Sequence, residues 1–398
     1  MDITLFPGKL RGSVAAIPSK SQAHRMLICA AFADAPTTIL CPQTNRDMDA
    51  TAACLNALGA GITRTAEGYQ VVPATTIPKA AHLTCHDSGS TLRFLLPLAG
   101  ALGVDATFHL EGRLAQRPLS PLWEEMERMG CRLSRPTEST IRCTGQLLPG
   151  EYTIDGSVSS QFITGLLLAV SRIPGESQIR LTGKVESRPY ITMTQLAMAT
   201  FGMETAELCV SGGKPFHSPG KVSVEGDWSN GAFWLAAQAL GNDVQVTNLN
   251  PLSPQGDRAA LSLLSGLKDN LTISAADIPD LVPILAVVAA CNQGAVFTDI
   301  RRLRLKESDR VQSLLSLLEA LGGHGEATEH TLTVFGTGLT GGAVDAANDH
   351  RIAMAAAIAA TACTQNVTIL GAECVNKSYP NFFEEYSRLG GNYEQHLR

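Results

Sequence analysis

The sequence predicts a mixed α/β protein (α+β) of two domains, each built from three repeated βαβαββ units packed around buried helices. Helices that are apolar on every side recur six times, and such helices belong inside a fold rather than on its surface. Helices that end at a glycine recur at intervals of roughly 55 to 75 residues, a spacing typical of repeated units that bury their faces against one another. The buried helices are predicted to begin near Ser21, Ser88, Ser159, Ser229, Asp280 and Asp349.

The other elements follow from the same repeat. The glycines Gly59, Gly130, Gly202, Gly266, Gly322 and Gly390 stand where a helix end favours a left-handed residue. Alternating apolar and polar residues after several of them predict hairpins over residues 61–72, 131–143 and 325–335. A β-rich segment also follows each buried helix. Each repeat therefore supplies two helices and several short strands.

Six units divide naturally into two domains of three. A segment rich in glycine and proline, residues 211–220, separates the third unit from the fourth. We therefore predict a first domain over residues 14–225 and a second over residues 1–13 and 226–398, with the active site in the cleft between them. The opening strand, residues 3–6, is expected to pair within the second domain.

Composition narrows the class of protein. The 398 residues are 44% hydrophobic and 17% charged, which suits a soluble protein with large cores. A net charge of −6 disfavours nucleic acids and acidic membranes as partners. The ten cysteines form no C-x-x-C pair, no H-x-x-H spacing is present, and the first residues lack a signal-peptide pattern. We expect a cytoplasmic protein, a monomer, that needs neither a metal nor an organic cofactor.

Cations at the starts of apolar helices point to anionic ligands. Lys20 and Arg25 lie at the beginning of the first buried helix, Arg93 in the second and Arg351 in the sixth. Free backbone N–H groups at a helix N-terminus attract anions, whereas a cation there opposes the helix dipole unless an anion is nearby. Ser88 and Asp349 could equally serve as simple helix caps.

Eight motifs follow one another along residues 18–386. They are Pro18-Ser19-Lys20-Ser21 with Arg25, Ser88-Gly89-Ser90 with Arg93, Gln116-Arg117-Pro118, residues 155–162, Ile278-Pro279-Asp280, residues 306–310, residues 348–351 and Lys377-Ser378-Tyr379-Pro380. Together they resemble the motifs of the 5-enolpyruvylshikimate-3-phosphate (EPSP) synthase family, although Ser19, Phe94 and Arg302 stand where glycine, proline and asparagine are usual in that family. The resemblance implies an enolpyruvyl transferase-like fold, two domains of three repeats each, in agreement with the repeat count.

The resemblance also implies a reaction: transfer of the enolpyruvyl group of phosphoenolpyruvate to the 5-hydroxyl of shikimate 3-phosphate, with release of phosphate, in the shikimate pathway of aromatic amino-acid biosynthesis. Both small-molecule substrates carry a phosphate and a carboxylate, which suits the local cations. By resemblance, shikimate 3-phosphate would be bound by Lys20, Ser21, Arg25, Ser159, Ser160, Gln161, Ser187, Asp280 and Lys306. Phosphoenolpyruvate would be bound by Lys20, Gly89, Arg117, Gln161, Arg310, Arg351 and Lys377, and glyphosate would compete there.

The reaction needs a base for the attacking hydroxyl and an acid for the enol methylene carbon. We assign Asp280 as the base and Glu307 as the acid, with Lys20 as an alternative proton carrier. Lys306 and Arg310 flank Glu307 and would favour its ionised form.

Two other functions are weighed against this one. The related transferase that uses UDP-N-acetylglucosamine usually carries a cysteine on the loop around Arg117, and residues 113–117 contain none. A non-catalytic protein that binds anions or RNA ends is disfavoured by the low basicity and few aromatic residues. The glycines of residues 336–341 match a dinucleotide fingerprint in letters alone, and we predict a turn there.

Overall fold

The computed structural model describes residues 1–396 of the chain. Most helices have a recognisable start, because a Ser, Asn or Asp side chain accepts a hydrogen bond from the first turn. The helices are α1 Lys20–Ala31, α2 Arg46–Ala57, α3 Gly89–Leu102, α4 Leu122–Arg128, α5 Ser160–Val170, α6 Arg188–Thr200, α7 Trp228–Ala239, α8 Ala260–Gly266, α9 Val282–Ala290, α10 Arg310–Ala320, α11 His350–Ala360 and α12 Phe382–Arg388.

The strands are short, and many alternate buried with exposed residues, as sheets with one covered face require. They are β1 Asp2–Leu5, β2 Arg11–Ala15, β3 Thr37–Leu40, β4 Gly61–Arg64, β5 Gly68–Val72, β6 Ala80–His86, β7 Asp105–Leu110, β8 Cys131–Thr137, β9 Thr140–Gly145, β10 Glu151–Asp155, β11 Gly175–Thr182, β12 Cys209–Gly212, β13 Lys221–Ser223, β14 Asp243–Thr247, β15 Leu271–Ser274, β16 Ala295–Thr298, β17 His324–Ala327, β18 Thr331–Phe335, β19 Gly342–Asp345, β20 Val367–Leu370 and β21 Tyr393–His396.

The chain forms two compact units. Unit A is Pro18–Glu225, and unit B is Met1–Ile17 together with the described residues from Gly226 onward. Unit A contains the sheets β13-β3-β5-β4, β6-β7-β9-β8 and β10-β11-β12, and unit B contains β14-β2, β15-β16-β18-β17 and β19-β20-β1-β21. Each unit has its own apolar core, formed around α1, α3 and α5 in unit A and around α7, α9 and α11 in unit B.

The same parallel strand pair recurs in all six of these sheets. The pairs are β13 with β3, β6 with β7 and β10 with β11 in unit A, and β2 with β14, β15 with β16 and β19 with β20 in unit B. Two strands each pair in the unit opposite to that of the helix that follows them. Strand β2 precedes α1 of unit A but pairs in unit B, and β13 precedes α7 of unit B but pairs in unit A. Residues 14–17 therefore belong to unit B, although the expected domain began at residue 14.

Several details of the sequence prediction are confirmed, whereas the conformation predicted for Gly266 is wrong. The opening strand β1 pairs with β20 and β21 in unit B, and the three hairpins form where expected. Gly266 does not adopt the predicted left-handed conformation, because it is the last residue of α8 and Leu267 ends that helix. The fifth buried helix, predicted to begin near Asp280, begins at Val282, so the Asp280 carboxylate lies just outside it.

Close packing of α3 against α5 depends on one glycine. A β-carbon on Gly165 of α5 would collide with the carbonyl oxygen of Arg93 on α3. Glycine is needed wherever two backbones approach this closely. The contact brings the first turns of α3 and α5 side by side, with the polar residues that each carries.

Candidate active site

Asp280 is the centre of a cluster of cations in unit B. Arg310 Nη1 donates a hydrogen bond to Asp280 Oδ1 at 2.6 Å, and Lys306 Nζ lies 3.5 Å from the same oxygen. Arg351 Nη2 lies 3.4 Å from Asp280 Oδ2, and its Nη1 donates to the backbone carbonyl of Asp280 at 3.3 Å. Three residues from α10, α11 and the turn before α10 thus converge on one carboxylate.

The cations determine the charge of this carboxylate. Burial alone would raise the pKa of Asp280, but Arg351, Lys306 and Arg310 oppose it and hold that pKa well below its ordinary value. Burial also lowers the pKa of Lys306 to about 8, against the opposing effect of Asp280. Asp280 is therefore ionised at neutral pH, and Lys306 is easily deprotonated for a lysine.

Arg310 is the buried hub of the same cluster. Its side chain is 1% exposed and reaches three carboxylates: Asp280, Glu307 at 2.7 Å and Asp349 at 2.8 Å. Asp349 also caps α11, as considered from the sequence, because it accepts a hydrogen bond from the backbone N–H of Arg351. Glu307, the predicted acid, is thus paired with a cation.

Lys377 lies beside this cluster. It ends a short 3₁₀ turn, Ala372–Lys377, and Lys377 Nζ donates to the carbonyl oxygen of Asn348 at 3.0 Å. Asn348 directly precedes Asp349 in the loop before α11. Unit B therefore gathers the residues predicted in it, Asp280, Lys306, Glu307, Arg310, Arg351 and Lys377, in one region.

A second carboxylate, Asp257, lies close enough to Asp280 for the charge of Asp280 to change its pKa. It is buried on the 3₁₀ turn Gly256–Ala259, and the Ser229 hydroxyl donates to its Oδ2. Burial, then the charge of Asp280, raises the pKa of Asp257 to about 7, although Arg351 opposes the shift. The two carboxylates therefore have very different proton affinities.

In unit A, the first turns of α1 and α2 are joined by an ion pair. Lys20 Nζ lies 2.9 Å from Asp47 Oδ2, and both side chains are largely buried. Ser19 caps α1 by accepting a hydrogen bond from the backbone N–H of Gln22. Lys20 is thereby held at the helix N-terminus with its amine beside a carboxylate.

Arg25 lies one turn further along α1 and is held by neutral oxygens. It donates to the carbonyl of Ser21 at 2.6 Å, to Thr194 at 2.8 Å, to Thr164 at 3.1 Å and to the carbonyl of Tyr190 at 3.1 Å. Burial lowers the pKa of Arg25 to about 10. The predicted ligand Arg25 is thus built into the join between α1, α5 and α6.

The first turns of α3 and α5 are linked through Gln161. Its Oε1 accepts from Arg93 Nη1 at 2.8 Å, and its Nε2 donates to Ser90 Oγ at 3.0 Å. Arg93 also donates to the carbonyl of Pro118, next to Arg117. Ser159 caps α5, and Ser160 begins that helix and is buried.

Gly89 and Arg117 are direct neighbours. A β-carbon built on Gly89 would lie 2.7 Å from Arg117 Nη1 and 3.2 Å from Arg93 Nη1. Two guanidinium groups therefore face the backbone that opens α3, where N–H groups are free to bind an anion. The remaining predicted residue, Ser187, is buried in a left-handed conformation, φ 56°, just before α6.

Comparison with known proteins identifies the family. The profile of EPSP synthase (3-phosphoshikimate 1-carboxyvinyltransferase) matches residues 6–386. The chain belongs to the EPSP synthase family. A 3-phosphoshikimate 1-carboxyvinyltransferase from Clostridium kluyveri is 36% identical over 99% of this chain and 98% of its own length, and one from Clostridium botulinum (strain Eklund 17B) is 35% identical over 98% of each chain.

Solved structures confirm the predicted fold. EPSP synthase from Acinetobacter baumannii superposes with a TM-score of 0.79 at 22% identity, covering 99% of this chain and 100% of that one. The enolpyruvyl transferase NikO from Streptomyces tendae gives 0.78 at 19% identity, covering 100% and 99%. The predicted EPSP synthase family and its class of enzyme are confirmed, and the alternative that uses UDP-N-acetylglucosamine is not favoured.

Sequence reasoning missed several residues of the candidate site. Asp47 and Asp257 look like ordinary polar residues of helical segments, and only their partners, Lys20 and Ser229, reveal them. Thr164 and Thr194 could have been noticed, since a hydroxyl inside an apolar helix requires a partner. The sequence predicted an anionic partner for Arg93. Its hydrogen bonds to Gln161 Oε1 and to the carbonyl of Pro118 are instead bonds to neutral groups.

The described residues contain neither a cluster suited to a metal ion nor a helix suited to cross a membrane. Within residues 1–396, no group of three or more His, Cys, Asp or Glu side chains is arranged to hold a metal ion. In the same part of the chain, no helix is both long and apolar enough to cross a membrane.

Proposed function

We propose that this chain transfers the enolpyruvyl group of phosphoenolpyruvate to the 5-hydroxyl of shikimate 3-phosphate and releases phosphate. Family membership over nearly the whole chain supports the reaction. The observation that carries the assignment of residues is the convergence of Lys306, Arg310 and Arg351 on Asp280. One carboxylate among three cations can act as a base while the cations hold substrate anions.

The residues predicted for each substrate are distributed over the two units. For shikimate 3-phosphate, Lys20, Ser21, Arg25, Ser159, Ser160, Gln161 and Ser187 of unit A would act with Asp280 and Lys306 of unit B. For phosphoenolpyruvate, Lys20, Gly89, Arg117 and Gln161 would act with Arg310, Arg351 and Lys377. The shared site stays a prediction, as do the cytoplasmic location and the monomeric state.

The reaction proceeds by addition and elimination. Protonation of the methylene carbon of phosphoenolpyruvate makes the neighbouring carbon electrophilic, and the 5-hydroxyl oxygen forms a bond to that carbon while Asp280 takes the hydroxyl proton. The C–O bond to phosphate then breaks, phosphate leaves with the proton held by Asp280, and the new methyl group returns a proton to the acid, which restores the double bond. We assign Glu307 as the acid, with Lys20 as the alternative.

The cations around Asp280 make it a weak base in the free protein, and bound substrate anions would make it a stronger one. In the free protein they lower the pKa of Asp280, so it holds a proton poorly. When phosphate or carboxylate groups bind to Arg310, Arg351 or Lys306, their negative charge offsets those cations. The proton affinity of Asp280 then rises when both anionic substrates are present.

A direct assay tests the reaction. The purified chain is incubated with shikimate 3-phosphate and phosphoenolpyruvate, and release of inorganic phosphate is followed. We expect release only when both substrates are present. Replacing shikimate 3-phosphate by UDP-N-acetylglucosamine should abolish phosphate release. Phosphate release from phosphoenolpyruvate with the nucleotide sugar but not with shikimate 3-phosphate would overturn the proposal.

A further inference from the structure

A chain of buried side chains links the first three helices of unit A. His24 Nδ1 of α1 lies 2.8 Å from Thr51 Oγ1 of α2, which lies 2.7 Å from Thr91 Oγ1 of α3. Thr91 Oγ1 lies 2.8 Å from Ser88 Oγ, the cap of α3. All four side chains are buried, with at most 1% of their surface exposed. None of them is among the predicted substrate ligands.

The hydrogen count gives this chain a direction. Thr91 has one hydroxyl hydrogen, which it donates to Ser88 Oγ or, at 3.4 Å, to the carbonyl of Asp47. Thr51 must then donate to Thr91 and accept from His24, so His24 carries its hydrogen on Nδ1. Within the described residues, His24 Nε2 is buried with no hydrogen-bond partner. A bare acceptor is tolerated there more readily than an unsatisfied N–H donor.

His24 also stays neutral. Burial, then the charges of Lys20 and Arg25 on the same helix, lower the pKa of His24 well below its ordinary value. Thr51 faces it from α2, and the ring of Phe94 meets it edge-on from α3, with 6.1 Å between ring centroids. The ring therefore keeps one hydrogen and one fixed tautomer.

This chain of hydrogen bonds connects the segments that carry predicted ligands of phosphoenolpyruvate. Asp47, whose carbonyl lies within reach of Thr91, binds Lys20 through its side chain. Ser88 and Thr91 lie on either side of Gly89, which opens α3 against Arg117. The same hydrogen bonds thus span from the Lys20 amine to the backbone N–H groups at the start of α3.

We propose that His24, Thr51 and Thr91 are positioning residues that hold the first turn of α3 against the Lys20–Asp47 pair and thereby set the affinity for phosphoenolpyruvate. This inference rests on the proposed function. Lys20 and Gly89 lie on different helices, and a shift of either by a fraction of an ångström weakens charge-assisted hydrogen bonds to one anion. Lys20 is predicted for both substrates, whereas Gly89 at the start of α3 and its neighbour Arg117 are predicted for phosphoenolpyruvate alone.

The test replaces Thr51, which touches no predicted ligand. Thr51→Val removes the hydroxyl at nearly constant volume, and Thr51→Ser keeps it. We expect Thr51→Val to raise KM for phosphoenolpyruvate about 5- to 30-fold, the effect of losing one or two hydrogen bonds. KM for shikimate 3-phosphate should rise less, because the start of α3 that loses its support carries Gly89, which is predicted for phosphoenolpyruvate alone, and Thr51→Ser should stay near wild type.

A matched control is available in the same unit. Thr37 is buried at the start of β3, and its hydroxyl lies 2.7 Å from Ser218 Oγ, which is not a predicted ligand. Thr37→Val should leave both KM values unchanged. Equal rises in both KM values for Thr51→Val, or no rise at all in the folded variant, would overturn the inference.

A second measurement needs no variant. Nitrogen NMR of the wild-type protein with labelled histidine reports the tautomer of each neutral ring. We expect a neutral His24 protonated on Nδ1, and a ring protonated on Nε2 would contradict the directed chain. If wild-type protein releases no phosphate, the proposed function fails, whereas the tautomer still tests the hydrogen-bond chain.

Discussion

Arg310 Nη1 lies 2.6 Å from Asp280 Oδ1, and the arginine side chain is 1% exposed. A guanidinium buried this deeply requires anionic partners, and it has Glu307 and Asp349 as well. The same arginine therefore sets the charge of the proposed base and contacts the proposed acid. Changes at either carboxylate should affect both catalysis and the stability of unit B.

The first prediction concerns Asp280→Asn. The amide keeps the shape of the side chain but cannot take the hydroxyl proton, so turnover should fall by about two to four orders of magnitude. KM for both substrates should change much less. Steady-state kinetics measure both values, and near-normal turnover would place the base elsewhere, with Lys20 next in line. Asp243→Asn, at an exposed carboxylate paired with exposed Arg11, is the matched control.

The second prediction concerns the pH dependence of substrate binding. The pKa of Lys306 is lowered to about 8, so the free protein loses this cation as pH rises above 8. KM for shikimate 3-phosphate should rise above pH 8, by up to about tenfold per pH unit. Lys306→Arg keeps its charge at these pH values, so its KM should stay flat. A wild-type KM that is constant from pH 7.5 to about 9.5 would contradict this role for Lys306.

The third prediction concerns the stability of Asp257→Asn. The pKa of Asp257 is about 7 in the folded protein and near its ordinary value of 3.8 when unfolded, so the folded state binds more protons between these values. Its contribution to the free energy of unfolding is therefore fully present below about pH 4 and is lost as pH rises through 7.

Asparagine carries no such titration. The free energy of unfolding of Asp257→Asn, relative to wild type, should increase from pH 5 to pH 8. Urea unfolding at the two pH values measures this difference. A difference that does not change with pH would mean that Asp257 is already ionised at pH 5.

The fourth prediction concerns Gly89→Ala and glyphosate. The added β-carbon would lie 2.7 Å from Arg117 Nη1, so the end of the Arg117 side chain must shift. We expect a higher KM for phosphoenolpyruvate and a larger loss of inhibition by glyphosate, which is longer than the substrate. Inhibition curves at matched phosphoenolpyruvate saturation measure the difference, with the open position Gly8→Ala as control. Overlapping curves for wild type and Gly89→Ala would show that Gly89 does not line the inhibitor site.

The sequence by itself determined the local elements and the chemistry of the motifs. Apolar runs and caps such as Ser88 predict the buried helices, and glycines such as Gly322 predict the ends of the other helices, because these signals act over one or two turns. The motif around Lys306 likewise indicates that several cations lie close together in the sequence. The family resemblance added the reaction that these residues serve.

Only the tertiary structure decided which residues meet. Strands β2 and β13 exchange units because pairing between distant segments, rather than chain order, completes each sheet. Asp280 follows the pattern of a helix cap, yet it lies outside α9 and binds cations from α10 and α11. Its low pKa and the raised pKa of Asp257 arise from burial and from charges distant in sequence, and neither is visible in a local pattern.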